Sequence, residues 1–279
     1  MPDNLDSLLT EQPNPASARI DQLPTLEMLQ VINAEDRLVA DSITPELPQV
    51  ARAVDAIVEA FRTGGRLFYI GAGTSGRLGV LDASECPPTF NVPPDLVQGI
   101  IAGGASALSR ATETTEDDPA IGVRDLQTRG FGAKDVLCGI AASGRTPYVL
   151  GAIDEADRLG AVTIGVSCTP DSELSQRAGI AITPTPGPEV IAGSTRLKAG
   201  TATKLVLNML TTGAFIRMGY VRGNLMVNVQ PSNAKLLDRS LRIIRTATGA
   251  SAEQARNALQ AAGNNVRAAI ERLITDNRT

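Results

Sequence analysis

Two segments of the chain place glycines and hydroxyl side chains directly after a short apolar run. The first is Gly71–Gly76, which follows Leu67–Ile70, and the second is Ser143–Thr146, which follows Val136–Ala141. A strand that leads through such a turn into a helix aims unpaired backbone N–H groups at one point, where they bind an anion. Both turns contain Ser-Gly-Arg, so we expect them to converge on one phosphate. The candidate binding residues are Gly73, Thr74, Ser75, Ser143, Gly144, Arg145 and Thr146.

Each turn also has a purely structural interpretation. Glycines suit a tight strand–helix turn, and serine or threonine at a helix start is a common N-cap. The first turn does not fit the dinucleotide-binding pattern, because Gly103-Gly104 stands where the ribose-binding acid is expected. It is not a P-loop either, since no Gly-Lys-Ser/Thr follows. Hydroxyls beside the glycines in both turns favour phosphate or sugar binding.

Two glutamates are candidates for general acid–base chemistry. Glu85 stands ten residues after Ser75, just before two prolines, and Glu116 begins a Glu-Asp-Asp segment. The sequence contains no histidine, which excludes Ser-His-Asp and Cys-His mechanisms and the commonest metal ligand. Acid–base work at neutral pH must fall to Glu, Asp, Lys, Tyr or Cys, and we expect no metal and no cofactor. For Glu116, a solvated acidic loop is the alternative.

A third candidate segment runs from Glu189 to Lys198 and joins a proline-rich loop to a long predicted helix. Ser194 is a possible N-cap for that helix. Arg196 and Lys198 either offer positive charge to an anionic ligand or are solvated residues of the first turn. Because cations near a helix N-terminus oppose its dipole, a ligand or a partner carboxylate is favoured there.

Composition excludes several classes of partner. The net charge is −4, aromatic residues make up 3% of the chain, and lysine and arginine form no long cluster. Such a chain has neither the basic footprint nor the stacking residues of a nucleic-acid-binding protein. The expected partner is a small molecule, not a nucleic acid.

Cysteine usage and hydropathy indicate the compartment. Cys138 and Cys168 lie in apolar runs, as buried packing residues of a reducing compartment do. No apolar run approaches the roughly 20 residues that span a bilayer. The polar segment Met1–Ala18 has no apolar core, so it is not a secretory signal. We therefore expect a cytoplasmic protein without a membrane partner.

Short apolar runs alternate with helical stretches, which predicts an α/β protein with a parallel five-stranded sheet sandwiched by helices, flavodoxin-like in layout. A small C-terminal helical bundle should follow. We predict an N-terminal arm and helix over 1–48, an α/β domain over 49–225 and three short helices within 226–279. The predicted strands are Leu67–Gly71, Val97–Ala102, Val136–Ala141, Ala161–Val166 and Ile180–Ile182.

At these motifs the chain resembles the sugar isomerase domain superfamily, whose members bind phosphosugars. Within it, the chain is similar to the N-acetylmuramic acid 6-phosphate etherase family. The matching stretches include Leu67–Thr89, with Asp-Ala-Ser-Glu-Cys-Pro-Pro-Thr, Gly139–Tyr148 and Glu189–Asn208. The resemblance covers nearly the whole chain and implies a sugar-isomerase-type fold.

The resemblance implies cleavage of the D-lactyl ether at C3 of the sugar, by elimination of lactate and syn hydration. The products are N-acetylglucosamine 6-phosphate and D-lactate, and the context is recycling of cell-wall amino sugars. Glu85 matches the acid that protonates lactate, and Glu116 matches the base that removes the C2 proton. Glu189 matches the base of related aldose–ketose isomerases, so the division of base roles between Glu116 and Glu189 stays open.

The same resemblance implies a phosphate loop at Ser143, Gly144 and Thr146, with Ser75 assisting. It also implies a homodimer whose sites lie near the subunit interface. Two alternative functions remain at this point: a phosphosugar aldose–ketose isomerase, and a non-catalytic phosphosugar-sensing regulator.

Overall fold

The computed structural model describes residues 9–110, 115–231 and 233–276. The first eight residues of the predicted arm therefore lie outside the described residues. No helix in the described part of the chain is long and apolar enough to cross a membrane.

A five-stranded parallel sheet forms the centre of the fold, in the order β2-β1-β3-β4-β5. The continuous apolar runs become largely buried strands, and β1 and β3 are buried at every residue, as expected for a sheet covered on both faces. Gly71, the last residue of β1, pairs with Ile101 of β2 and with Ile140 of β3, so these carboxyl ends are level. The strands are β1 (Leu67–Gly71), β2 (Val97–Ile101), β3 (Val136–Ile140), β4 (Val162–Val166) and β5 (Ile180–Ile182).

Helices cover both faces of this sheet, which confirms the predicted fold class. The helices up to residue 217 are α1 (Thr25–Ser42), α2 (Leu47–Arg62), α3 (Gly73–Phe90), α4 (Pro119–Thr128), α5 (Pro147–Arg158), α6 (Glu173–Arg177) and α7 (Lys198–Arg217). Short 3₁₀ turns occupy Pro15–Ser17, Ile20–Gln22, Thr44–Glu46 and Gly104–Leu108. On one face, Phe68 and Ile70 belong to a buried cluster with Val149 of α5. On the other, the Tyr69 hydroxyl donates a hydrogen bond to Asp82 of α3.

The predicted start of the long helix at Ser194 is wrong, because α7 begins at Lys198. The carboxylate of Glu189, nine residues before Lys198 in the chain, fixes this start. The backbone N–H groups of Lys198 and Ala199 donate to Glu189, at 2.8 and 3.0 Å. Glu189 thus supplies the acceptors that an N-cap normally supplies, so the helix does not need Ser194.

The chain forms two compact units, of which the first combines the residues up to Glu85 with Pro94–Thr211. The second combines Cys86–Pro93 with the residues from Thr212 onward. It holds a two-stranded hairpin, β6 (Val221–Arg222) and β7 (Leu225–Met226), and the three predicted helices, α8 (Ala234–Thr248), α9 (Ala252–Ala261) and α10 (Val266–Asp276). The second unit has its own apolar core, which includes Ile244, Leu259 and Ile270. The bounds of the three predicted domains stay predictions.

The amino ends of β1 and β3 are joined by a buried carboxylate, Asp135. It accepts hydrogen bonds from the Arg66 backbone N–H and guanidinium and from the Gly132 N–H, all within 3.1 Å. We expect Asp135→Ala to lower the free energy of unfolding by about 2–4 kcal/mol, because it leaves these donors unpaired. Urea denaturation measures this loss. In the control Asp154→Ala, which breaks an exposed ion pair with Arg177, the loss should stay below about 1 kcal/mol. Equal losses in the two variants would contradict the prediction.

Candidate active site

The first turn lies at the carboxyl end of β1 and forms the first turn of α3. Gly73 begins that helix, and Thr74 and Ser75 follow it directly. Thr74 lies close to the start of α7, since a Cβ atom on Gly200 would be 3.6 Å from its methyl carbon. The predicted cradle therefore consists of the amino end of α3, with the amino end of α7 beside it.

The second turn follows β3 and leads into α5, whose first helical residue is Pro147. The segment after β4 holds this turn in place through two backbone hydrogen bonds. The Leu174 N–H donates to the Gly144 carbonyl at 2.9 Å, and the Cys168 N–H donates to the Ala142 carbonyl at 2.9 Å. Cys168 also packs in a buried cluster with Ala199 of α7. Both turns therefore lie at one edge of the sheet, on neighbouring strands, and both lie near the start of α7.

The hydroxyl groups of these two turns are not used for capping. Thr146 precedes α5, yet its side chain makes no capping hydrogen bond. The hydroxyls of Thr74, Ser75, Ser143 and Thr146 donate to no other described residue. All four residues are partly buried, and Arg145 beside them is partly buried as well. The alternative that these hydroxyls are N-caps therefore finds no support, and they remain available to a ligand.

Glu116 lies against the second turn. Its backbone carbonyl accepts a hydrogen bond from the Tyr148 N–H at 3.0 Å, in the first turn of α5. Two residues on, the Asp118 carboxylate caps α4 by accepting from the Ala120 N–H. Within the Glu-Asp-Asp segment, one acid thus has a structural role, whereas Glu116 is partly buried and its backbone is bonded to Tyr148, two residues after Thr146.

Glu85 is placed differently. It is exposed and lies twelve residues beyond Gly73 on α3. At 1.5 Å per residue this is about 18 Å along the helix from the first turn. Within one chain, the structure therefore brings Glu116 to the second turn, and it carries Glu85 away from the first.

Lys198 and Glu189 are both buried and both engaged within the chain. The Lys198 ammonium donates to Glu35 of α1 at 2.7 Å and is 1% exposed. The hydrogen bond from Lys198 holds the pKa of Glu35 below its usual value, and partial burial opposes this effect. The positive charge at the start of α7 thus has a carboxylate partner, which was one of the two alternatives for it. Direct contact of Lys198, Glu189 or Ser194 with a ligand stays a prediction.

Sequence reasoning missed the segment that holds this third region in place. The Asn14 amide donates to both Glu35 and the Pro188 carbonyl, at 2.8 and 3.0 Å. The Ser17 hydroxyl donates to the Val190 carbonyl at 2.7 Å. The contacts with Pro188 and Val190 join residues more than 170 positions apart, and the contact with Glu35 joins the arm to α1. No local sequence pattern predicts such contacts. The described part of the arm fixes the loop that leads into α7.

A family model described as the glucokinase regulatory protein N-terminal SIS domain matches residues 49–157. A relative from Photorhabdus laumondii is 57% identical over 267 residues, which cover 96% of this chain and 89% of the relative. One from Klebsiella aerogenes is 56% identical over 98% of this chain and 91% of its own. Both are named N-acetylmuramic acid 6-phosphate etherase. The chain belongs to the N-acetylmuramic acid 6-phosphate etherase family.

Solved structures with lower similarity share the fold of this etherase family member. A phosphoheptose isomerase from Francisella tularensis is 20% identical, with a TM-score of 0.51 over 69% of this chain and 98% of its own. One from Neisseria gonorrhoeae is 15% identical, with a TM-score of 0.52 over 68% and 99%. The predicted sugar-isomerase-type fold is therefore confirmed.

Gly144 offers a test of the second turn. Its φ of +68° lies in the left-handed region, and a Cβ atom there would be 2.1 Å from the Ser172 hydroxyl oxygen. We expect Gly144→Ala to weaken binding of N-acetylglucosamine 6-phosphate by roughly tenfold or more, because the turn must move to relieve the clash. Titration calorimetry measures the affinity. Gly160→Ala is the control, since Gly160 has a similar φ of +75° with open space around it. A variant Gly144→Ala with unchanged affinity would remove this turn from the site.

Proposed function

We propose that this chain is an etherase that cleaves the D-lactyl ether of N-acetylmuramic acid 6-phosphate in the recycling of cell-wall amino sugars. The observation that carries the proposal is the pair of turns at the carboxyl ends of β1 and β3, with Glu116 fixed beside the second. A phosphosugar fits this arrangement, because the turns would hold the phosphate and leave the sugar carbons facing the acid.

The phosphate would bind mainly to backbone N–H groups and hydroxyls, since Lys198 is paired with Glu35. The amino ends of α3 and α5 supply N–H groups and the positive ends of two helix dipoles. Ser143, Gly144 and Thr146 would form the main loop, and Gly73, Thr74 and Ser75 would complete it. Arg145 would add positive charge. Glu189 and Lys198 would act indirectly, by fixing the amino end of α7 beside Thr74.

The proposed reaction needs two carboxyl groups in opposite protonation states. In the open-chain sugar, ionised Glu116 would take the C2 proton, and the C1 aldehyde would hold the electron pair as an enolate. The pair would then form the C2–C3 double bond as the C3–O bond breaks. Protonated Glu85 would give its proton to the departing lactate oxygen. Ionised Glu85 would then take a proton from a water molecule as the hydroxyl adds to C3, and Glu116 would return its proton to C2, which restores both acids. The sum is substrate plus water giving N-acetylglucosamine 6-phosphate and D-lactate.

Glu85 would reach this reaction from a second copy of the chain. Of the eighteen residues of α1 only Val39 is buried, and Leu26, Leu29 and Leu38 are each at least half exposed. On α3, Leu81 is half exposed one turn before Glu85. Apolar surface of this kind is typical of a subunit interface. We propose a homodimer that covers it and places Glu85 at the partner's phosphate turns.

A cytoplasmic location is part of the same proposal. All three cysteines are free and buried, which suits a reducing compartment. The isomerase alternative is less favoured, because it would use Glu189 as a base. Both carboxylate oxygens of Glu189 already accept backbone hydrogen bonds at the start of α7, and the side chain is buried.

Release of D-lactate from N-acetylmuramic acid 6-phosphate tests the function directly. We expect the wild-type chain to release it, and Glu85→Gln to lower the rate by roughly 10²–10⁴-fold, because only the leaving-group acid is lost. Exchange of the C2 hydrogen with deuterated solvent should persist in that variant, since Glu116 is intact. Glu59→Gln, an exposed change on α2, is the control. An isomerase or a sensor would release no lactate, and full turnover by Glu85→Gln would exclude its role.

Mixing two impaired variants tests the shared site. With the substrate concentration well below KM, Glu85→Gln subunits alone are expected to release lactate roughly 10²–10⁴-fold more slowly than the wild type, and Gly144→Ala subunits at least about tenfold more slowly. If Glu85 serves the partner's site, a mixed dimer contains one intact site, and random exchange should restore about a quarter of the wild-type activity. Lactate release after joint refolding measures it. No recovery, with mixed dimers present by mass, would place Glu85 and the turns of one chain in the same site.

A further inference from the structure

A buried carboxylate, Asp82, lies one helical turn before Glu85 on α3. Its side chain is 6% exposed. One oxygen accepts from the Tyr69 hydroxyl of β1 at 2.9 Å, and the other accepts from the Asn208 amide at 2.7 Å and the Thr211 hydroxyl at 3.3 Å, both on α7. The carboxylate therefore ties α3 to the sheet on one side and to α7 on the other.

Burying the Asp82 carboxylate costs free energy, and packing alone gives no reason for that cost. Burial raises the pKa of Asp82, and the three neutral donors and Lys204 only partly oppose that effect. An apolar side chain of similar size would avoid the desolvation penalty at a helix–sheet interface. A carboxylate instead makes directional hydrogen bonds, and these fix the rotation of α3 about its own axis.

The helix needs such a constraint because it is weakened directly after Glu85. Pro87 and Pro88 lie inside α3. Neither has an N–H group, so the carbonyls of Ala83 and Ser84 lose the helical donors that normally come four residues later. The backbone turn that contains Glu85 thus lacks two hydrogen bonds on its C-terminal side. Asp82 lies directly before this turn and is held to both β1 and α7.

We propose that Asp82 is a positioning residue for Glu85: by joining α3 to β1 and α7, it fixes the direction in which Glu85 leaves the helix. Asp82 itself is too deeply buried to touch the sugar. The inference rests on the proposed function, in which Glu85 protonates the departing lactate. It predicts that loss of Asp82 harms that one step and spares the proton transfer at C2 by Glu116.

The test compares two steps of the reaction in the full-length protein. In Asp82→Ala we expect kcat for lactate release to fall at least tenfold, with KM changed less than twofold. Exchange of the substrate C2 hydrogen in deuterated water should stay within threefold of the wild-type rate. Asp82→Asn should restore lactate release to within threefold, because the amide has the same size. Its oxygen can accept from Asn208, and its NH₂ group can donate to the Tyr69 oxygen.

Two further variants keep the test decisive if Asp82→Ala does not fold. Tyr69→Phe and Asn208→Ala each remove one donor to Asp82, and each should lower lactate release severalfold while sparing exchange. Thr163→Val is the matched control. Thr163 lies on β4, away from α3, and its buried hydroxyl accepts a hydrogen bond from the Gly179 N–H. Its loss should leave the ratio of the two rates, lactate release and C2 exchange, unchanged.

The outcomes separate this inference from the proposed function. Parallel loss of exchange and lactate release in the Asp82, Tyr69 and Asn208 variants would overturn the positioning role, because a merely structural residue affects both steps. Wild-type kcat in Asp82→Ala would overturn it too. Absence of lactate from the wild-type reaction would instead overturn the proposed function, and the inference with it.

Discussion

The parallel pairing of β1 with β3 is the constraint on which the proposed site depends. Because Gly71 and Ile140 are in register, the two strands end at the same level, and the turns that follow them must lie side by side. Two helices then start from one edge with their N–H groups facing the same region. Phosphate binding without a histidine, a metal or a dominant cation becomes feasible through this alignment of main-chain groups.

The buried carboxyl groups of the chain have structural roles, and the proposed chemical roles fall to accessible ones. Asp82, Asp135 and Glu189 are buried, and the hydrogen bonds that they accept hold a strand, a helix or a helix start in place. Glu85 and Glu116 keep access to solvent. In the proposed reaction, the acids that exchange protons with the substrate are of this second kind.

The position of Glu85 links the proposed reaction to the proposed homodimer. In the proposed reaction, a residue about 18 Å along α3 from the first turn would serve that turn poorly, whereas a helix that projects it toward a second chain would serve the partner well. The exposed leucines of α1 and α3 give such a partner an apolar surface to cover. On this view, the little-buried helix α1 and the distant acid are two consequences of one arrangement, in which a complete site needs two copies of the chain.

By itself the sequence determined the parallel α/β fold, the two strand–turn–helix segments and the pair of candidate acids, because hydrophobic periodicity and turn chemistry are local properties. The approximate extents of β1, β3 and α5 followed from the same patterns. Only the tertiary structure decided that Glu189 caps α7, that Glu35 neutralises Lys198 and that Asp82 joins α3 to β1 and α7. It also replaced the start predicted at Ser194. Hydrogen bonds between residues far apart in the chain exist only after helices and strands have packed, so no local pattern contains them.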